Sequence, residues 1–155
     1  MQSLTVQDTL QQGIAREVES QRLYQDLGTR VQSPAARYSF SLLVSQEEEH
    51  QRILERYLKG GLIQGSLDIK HVVDYHIAEH LQQPEVTPGM QLPDIFLVAA
   101  RRERNSYDFY TSLANIHPEG EMRKLLNKLA SEELGHKQKV ESLYSEVAFP
   151  QTDGG

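Results

Sequence analysis

The chain contains no cysteine. Disulfides, thiolate nucleophiles, zinc–thiolate sites and thiolate-bound iron are thereby excluded, and any metal must be held by carboxylate and imidazole. Positive charge is also short. Sixteen Lys and Arg stand against 22 Asp and Glu, a net charge of −6, the wrong sign for a sequence-independent nucleic-acid binder. No apolar run approaches the roughly 20 residues of a membrane-spanning helix. Neither nucleic acid nor a membrane is therefore expected as a partner. The opening residues, Met1 to Asp8, show no basic stretch followed by an apolar one. That pattern would mark secretion, so a cytoplasmic protein is expected. A Gly-rich phosphate loop and a G-x-S-x-G elbow are both missing, which removes the commonest nucleotide and hydrolase signatures.

The 155 residues fit one domain, since domains peak at about 100–150 residues. A 38% share of hydrophobic residues is enough for one core. Breaks fall at Ser33-Pro34, Lys59-Gly60-Gly61, the stretch from Gln83-Pro84 to Leu92-Pro93, and His117-Pro118. Between them apolar residues recur at steps of three and four, with no period-two segment, which is helical spacing. Four long helices are predicted, over about 4–31, 34–59, 93–116 and 118–146. A crossover over about 60–92 is expected to hold a shorter helix near 68–81, and 149–155 reads as a flexible tail after a domain of residues 1–148. The connections are short, long, short. Two antiparallel hairpins joined by one long crossover make an all-α four-helix bundle.

The two hairpins repeat. Glu17 and Glu103, Tyr24 and Tyr110, Glu47 and Glu133, and His50 and His136 are each 86 residues apart. Glu17 to Glu47 and Glu103 to Glu133 are both 30. Leu27 with Leu113, Leu43 with Leu129 and Ser45 with Ser131 obey the same offset. Each half is thus E-x6-Y followed by E-x-x-H, and repetition implies a shared architecture. The charged members sit inside apolar stripes: Phe40, Leu43, Glu47, His50, Leu54 in the second helix, and Leu126, Leu129, Glu133, His136, Val140 in the fourth.

A single E-x-x-H on a helix is usually a solvated Glu beside an incidental His, and the run Glu47-Glu48-Glu49 alone would read as a solvated face. Two such motifs, each preceded by a mid-stripe Glu at a constant spacing, are a different matter. Four buried carboxylates repel one another unless paired or bound to metal. Two divalent cations balance their charge. Glu and His three apart share a helix face and reach one ion. A Glu from each of two helices plus Glu-x-x-His from the other two is the ligand set of a di-iron carboxylate bundle. The metal candidates are Glu17, Glu47, His50, Glu103, Glu133 and His136; iron, manganese and zinc all suit this donor set. Tyr24 and Tyr110, one heptad beyond a candidate Glu, need partners for buried hydroxyls, and carboxylates of a neighbouring helix are the expected acceptors. His71, His76 and His80 read as a solvated helix face, His117 as an exposed turn residue, and Tyr38 and Tyr107 as packing residues.

Over about residues 4–146 the chain resembles the ferritin-like superfamily, and within it the rubrerythrin-like erythrin domain, on the motifs Glu17-x6-Tyr24, Glu47-x-x-His50, Glu103-x6-Tyr110 and Glu133-x-x-His136. The resemblance implies two irons per chain, bridged by Glu47 and Glu133, with Glu17 and His50 completing one and Glu103 and His136 the other. It implies a homodimer that reacts with hydrogen peroxide or dioxygen. Full-length rubrerythrins add a cysteine-ligated electron-donating domain; with no cysteine here, an external electron donor is expected. They also carry an extra Glu three residues after the third-helix ligand, where this chain has Ser106. Bacterioferritin is a poorer match, because Glu48 occupies the place of its haem-ligating Met; no haem is expected. An oxidoreductase is the leading expectation. A non-catalytic iron-handling protein and a structural helical module with a vestigial site are the alternatives.

Overall fold

The computed structural model describes residues 5–60 and 84–149. They form four helices: α1 (Val6–Arg30), α2 (Pro34–Leu58), α3 (Leu92–Ile116) and α4 (Glu121–Ala148). No strand occurs among the described residues. The expected helix near 68–81, with His71, His76 and His80, lies outside them, as do residues 150–155 of the expected tail.

Local chemistry sets the helix ends. Thr5 caps α1: its Oγ1 accepts from the Asp8 N–H at 3.0 Å, and the Asp8 carboxylate accepts from the Thr5 N–H at 3.3 Å. This reciprocal pair satisfies two of the donors a helix start leaves open. Ser33 caps α2, with Pro34 in the first turn, where a missing N–H costs nothing. Gly60, at φ 85°, turns the chain out of α2, a backbone conformation that favours glycine. The fourth helix begins at Glu121 rather than near 118. Gly120 takes φ 152° as its N-cap, so the non-helical turn extends through Pro118, Glu119 and Gly120.

Cross-helix contacts fix the directions. Gly13 meets Leu54 while Gly28 meets Phe40, so α1 and α2 are antiparallel. Tyr24 reaches Glu103 while Tyr110 reaches Glu17, so α1 and α3 are antiparallel too. Helices α2 and α3 therefore run parallel. These are the helix directions of the one-crossover bundle expected of the sequence. At Gly13 a Cβ would sit 3.0 Å from Leu54 Cδ1; the missing side chain lets the two helices approach closely there.

The core forms two apolar clusters with a polar layer between them. One contains Tyr24, Leu27, Phe40, Leu43, Phe96 and Val140. The other contains Leu10, Leu54, Tyr110, Leu113, Leu126 and Leu129. Phe40 stacks on Phe96 with ring centroids 5.8 Å apart. Tyr107 packs against the second cluster as expected. Tyr38 does not pack. It lies off the α2 stripe and is 69% exposed.

Candidate metal centre

Each helix contributes its mid-stripe residues to the layer between the apolar clusters. Glu17 from α1, Glu47 and His50 from α2, Glu103 from α3, and Glu133 and His136 from α4 are all buried. They fall into two groups whose ligand-type atoms lie within 4.8 Å of one another: Glu17, Glu47, His50 and Glu133, and Glu47, Glu103, Glu133 and His136. Glu47 and Glu133 belong to both. The structure thus brings together all six residues singled out from the sequence.

The contacts repeat as the sequence does. His50 Nδ1 lies 2.8 Å from a Glu133 oxygen and 3.5 Å from Glu17. In the other half, His136 Nδ1 lies 3.0 Å from Glu47 and 3.6 Å from Glu103. The imidazoles stack nearly parallel, their centroids 5.7 Å apart. The Tyr24 hydroxyl donates to Glu103 at 2.6 Å, and the Tyr110 hydroxyl donates to Glu17. Each tyrosine therefore fixes one oxygen of a carboxylate on the facing helix, the same oxygen that lies 3.5 Å (Glu17) or 3.6 Å (Glu103) from an imidazole nitrogen. Arg102 braces the same seam, with Nε donating to Ser20 Oγ at 2.8 Å and a terminal nitrogen to the Arg16 carbonyl at 3.0 Å.

Several carboxylate oxygens in this layer have no hydrogen-bond partner: Glu17 Oε2, Glu47 Oε2, Glu103 Oε2 and Glu133 Oε2 are buried and unsatisfied, while Glu133 Oε1 has only the His50 imidazole beside it. So dense a set of acceptors inside an apolar bundle is stable only with protons or cations among them. The electrostatics agree. Burial pushes the Glu47 and Glu133 carboxyls well above the ordinary range, and the facing carboxylates, Glu103 foremost, add to it. For Glu17 and Glu103 burial also pushes upward, but it is outweighed. Hydrogen bonding with Glu47, His50 and Tyr110 brings Glu17 below its usual value. The charge and hydrogen bonds of His136, with Glu133 and Tyr24, do the same for Glu103. Burial lowers both imidazoles, yet the surrounding carboxylates prevail, raising His50 well above its usual value and His136 to about 9.

Two contacts were not legible in the sequence. His50 Nε2, on the side away from the centre, meets Glu132 Oε2 at 2.5 Å. The position beside a candidate ligand was the only available signal, and Glu132-Glu133 otherwise reads as a solvated pair. His117, expected to be exposed, is 8% exposed and pairs with Thr9 Oγ1 at 2.9 Å. Its ring folds back from the turn onto the start of α1, a contact across 108 residues.

Helix directions, the duplicated ligand-type residues and the tyrosine braces together define a helical bundle built around a carboxylate–imidazole centre suited to two cations. The family model described as Rubrerythrin matches residues 8–144. The chain belongs to the rubrerythrin family, a family of di-iron carboxylate domains. No curated protein and no solved structure shows significant similarity to it. No helix among the described residues is long and apolar enough to cross a membrane.

Proposed function

We propose that the chain binds two iron ions, one in each overlapping group of ligand-type residues, and acts as an oxidoreductase toward hydrogen peroxide or dioxygen. Glu47 and Glu133 would be shared between the metals, Glu17 and His50 would complete one, and Glu103 and His136 the other. The observation that carries this reading is the pair of overlapping buried ligand-type groups, with unpartnered carboxylate oxygens on Glu17, Glu47, Glu103 and Glu133. Manganese or zinc would fit the same donors, but family membership favours iron.

Bound iron would supply electron transfer and Lewis acidity. The chain's own residues have narrower tasks. Tyr24 and Tyr110 orient Glu103 and Glu17 from outside. The carboxylates and imidazoles hold protons when metal is removed and exchange them for cations on loading. The two apolar clusters keep bulk water from the layer between them. An external reductant would restore the reduced state, since the chain has no thiolate of its own.

Ser106 favours a second reading. It is buried at 2% on α3, in register with Glu103, where the resemblance calls for a further carboxylate. A centre with only the shared ligand set would also suit iron handling. Metal analysis and stopped-flow oxidation test both readings. Protein loaded anaerobically with Fe²⁺ should carry two metals per chain, one for each group. Glu133→Ala should weaken both, because that residue is common to the two groups. Rapid oxidation by peroxide or dioxygen followed by re-reduction would support the oxidoreductase; slow oxidation with ready release to a chelator would support iron handling. One tightly held metal, indifferent to Glu133→Ala, would overturn the dinuclear reading.

A further inference from the structure

The 86-residue repeat is obeyed by nearly every contact in the centre. Tyr24 on Glu103 matches Tyr110 on Glu17. His50 near Glu133 matches His136 near Glu47, at 2.8 and 3.0 Å. Among the contacts of the two imidazoles, the one on the outer nitrogen of His50 has no counterpart. Glu132 Oε2 lies 2.5 Å from the outer nitrogen of His50, and Lys128 Nζ lies 3.3 Å from the other Glu132 oxygen. The repeat mates of Glu132 and Lys128 are Gln46 and Leu42. The Gln46 Oε1 atom is buried with no hydrogen-bond partner. Among the described residues, no carboxylate bonds the outer nitrogen of His136. The chain Lys128–Glu132–His50 thus supports one imidazole only.

We infer that Glu132 is a positioning residue that makes the two metal positions unequal, so that the position built on Glu17 and His50 takes a divalent cation ahead of the position built on Glu103 and His136. The inference rests on the dinuclear reading proposed above. A carboxylate accepting Nε2–H selects one tautomer of His50. The Nδ1 lone pair then faces the centre, where the nearest oxygens belong to Glu133 and Glu17. The same bond makes the ring a better donor to a metal and holds its plane. An amide at position 46 is neutral, and its oxygen makes no such bond. Outer partners of this kind are worth about 10–100-fold in metal affinity. Lys128 anchors the carboxylate, which is half-exposed, at the required distance.

Titrating the metal-free full-length chain with Co²⁺ tests this directly, through the visible bands of the bound ion and calorimetry. Wild type should fill in two steps; since the positions share Glu47 and Glu133, the steps differ in any case, and the gap in wild type should exceed that in Glu132→Gln by about tenfold or more. Glu132→Gln keeps the shape of the side chain and should bring the two steps closer. The double variant Glu132→Gln/Gln46→Glu moves the carboxylate to the other half and should separate them again. A merely structural role for Glu132 would not be restored by that exchange. A gap untouched by Glu132→Gln, or not regained in the double variant, would overturn the inference. Failure of the dinuclear reading looks different: binding of one or no Co²⁺ per chain, unaffected by Glu133→Ala.

Discussion

Stripping the centre of metal should leave a protein whose melting temperature falls as pH rises from slightly acid to alkaline. The reason lies in where the protons sit. His136, held among Glu47 and Glu103, is raised from 6.5 to about 9. A group with a raised folded pKa binds protons more tightly folded than unfolded. Its stabilisation is complete below the unfolded value and is lost as pH climbs through the folded one. For His136 the full difference is on the order of 3 kcal/mol. Between about pH 6.5 and about pH 8.5, about 2 kcal/mol of it should disappear. At about 2–4 °C per kcal/mol for a chain of this size, that is a fall of roughly 4–8 °C. His50, Glu47 and Glu133 are shifted upward as well and act in the same direction, titrating with His136 as one set. Glu132, which burial raises but its bond to His50 and the charges of His50 and Lys128 bring down to about 2, has the opposite sign. Its contribution is lost only as pH falls below about 4.5, outside the window. Bound metal stabilises the folded chain alone and competes better as protons become scarce, so loaded protein should not show the fall. Calorimetry of chelator-treated and metal-loaded protein at the two pH values gives the comparison. A metal-free melting temperature that stays level or rises across the window would refute the placement of these protons.

Tyr24→Phe and Tyr110→Phe should each cost about 1–3 kcal/mol in urea unfolding, because each leaves a buried carboxylate oxygen without its donor. The two losses should be similar, since the contacts are repeat mates; a negligible loss in either would contradict the bracing role. On α4, Lys137 Nζ meets both Glu141 oxygens at 3.0 Å, with both side chains fully buried. Lys137→Met should destabilise by about 3–5 kcal/mol, because it takes the cation away from a buried carboxylate, read from urea midpoints at constant slope.

The fold and the six ligand-type residues were legible for one reason: helical periodicity and duplication reinforce each other. A Glu inside an apolar stripe is ambiguous alone, but the same anomaly returns at Glu17, Glu47, Glu103 and Glu133 with one offset. The tyrosines could be placed because a heptad is a fixed axial distance along a helix. What escaped depends on geometry that spacing does not encode. The reach of Glu132 to His50 is set by how α4 packs on α2. The burial of His117 depends on the turn folding back to Thr9. Tyr38 is a large apolar residue two positions off a stripe, so its type suggested packing while its angle on the helix put it in solvent. The late start of α4 rests on the backbone of Gly120, whose freedom makes the turn possible without announcing it.

The cross-bracing of the centre bears on how the chain is assembled. Glu17 is held by a tyrosine 93 residues away, Glu103 by one 79 residues away, and Glu47 meets an imidazole 89 residues away. Neither hairpin owns a finished half of the centre. Each can zip through its own short turn, but the polar layer becomes ordered only when the two meet. Contacts so distant in sequence close late, after loop-closure entropy has been overcome. Until then four carboxylates and two imidazoles remain in water, where they can keep their ordinary charges. Docking the hairpins and readying the centre for cations are therefore one event, and a chain able to take up its metals is one whose two halves have already found the right register.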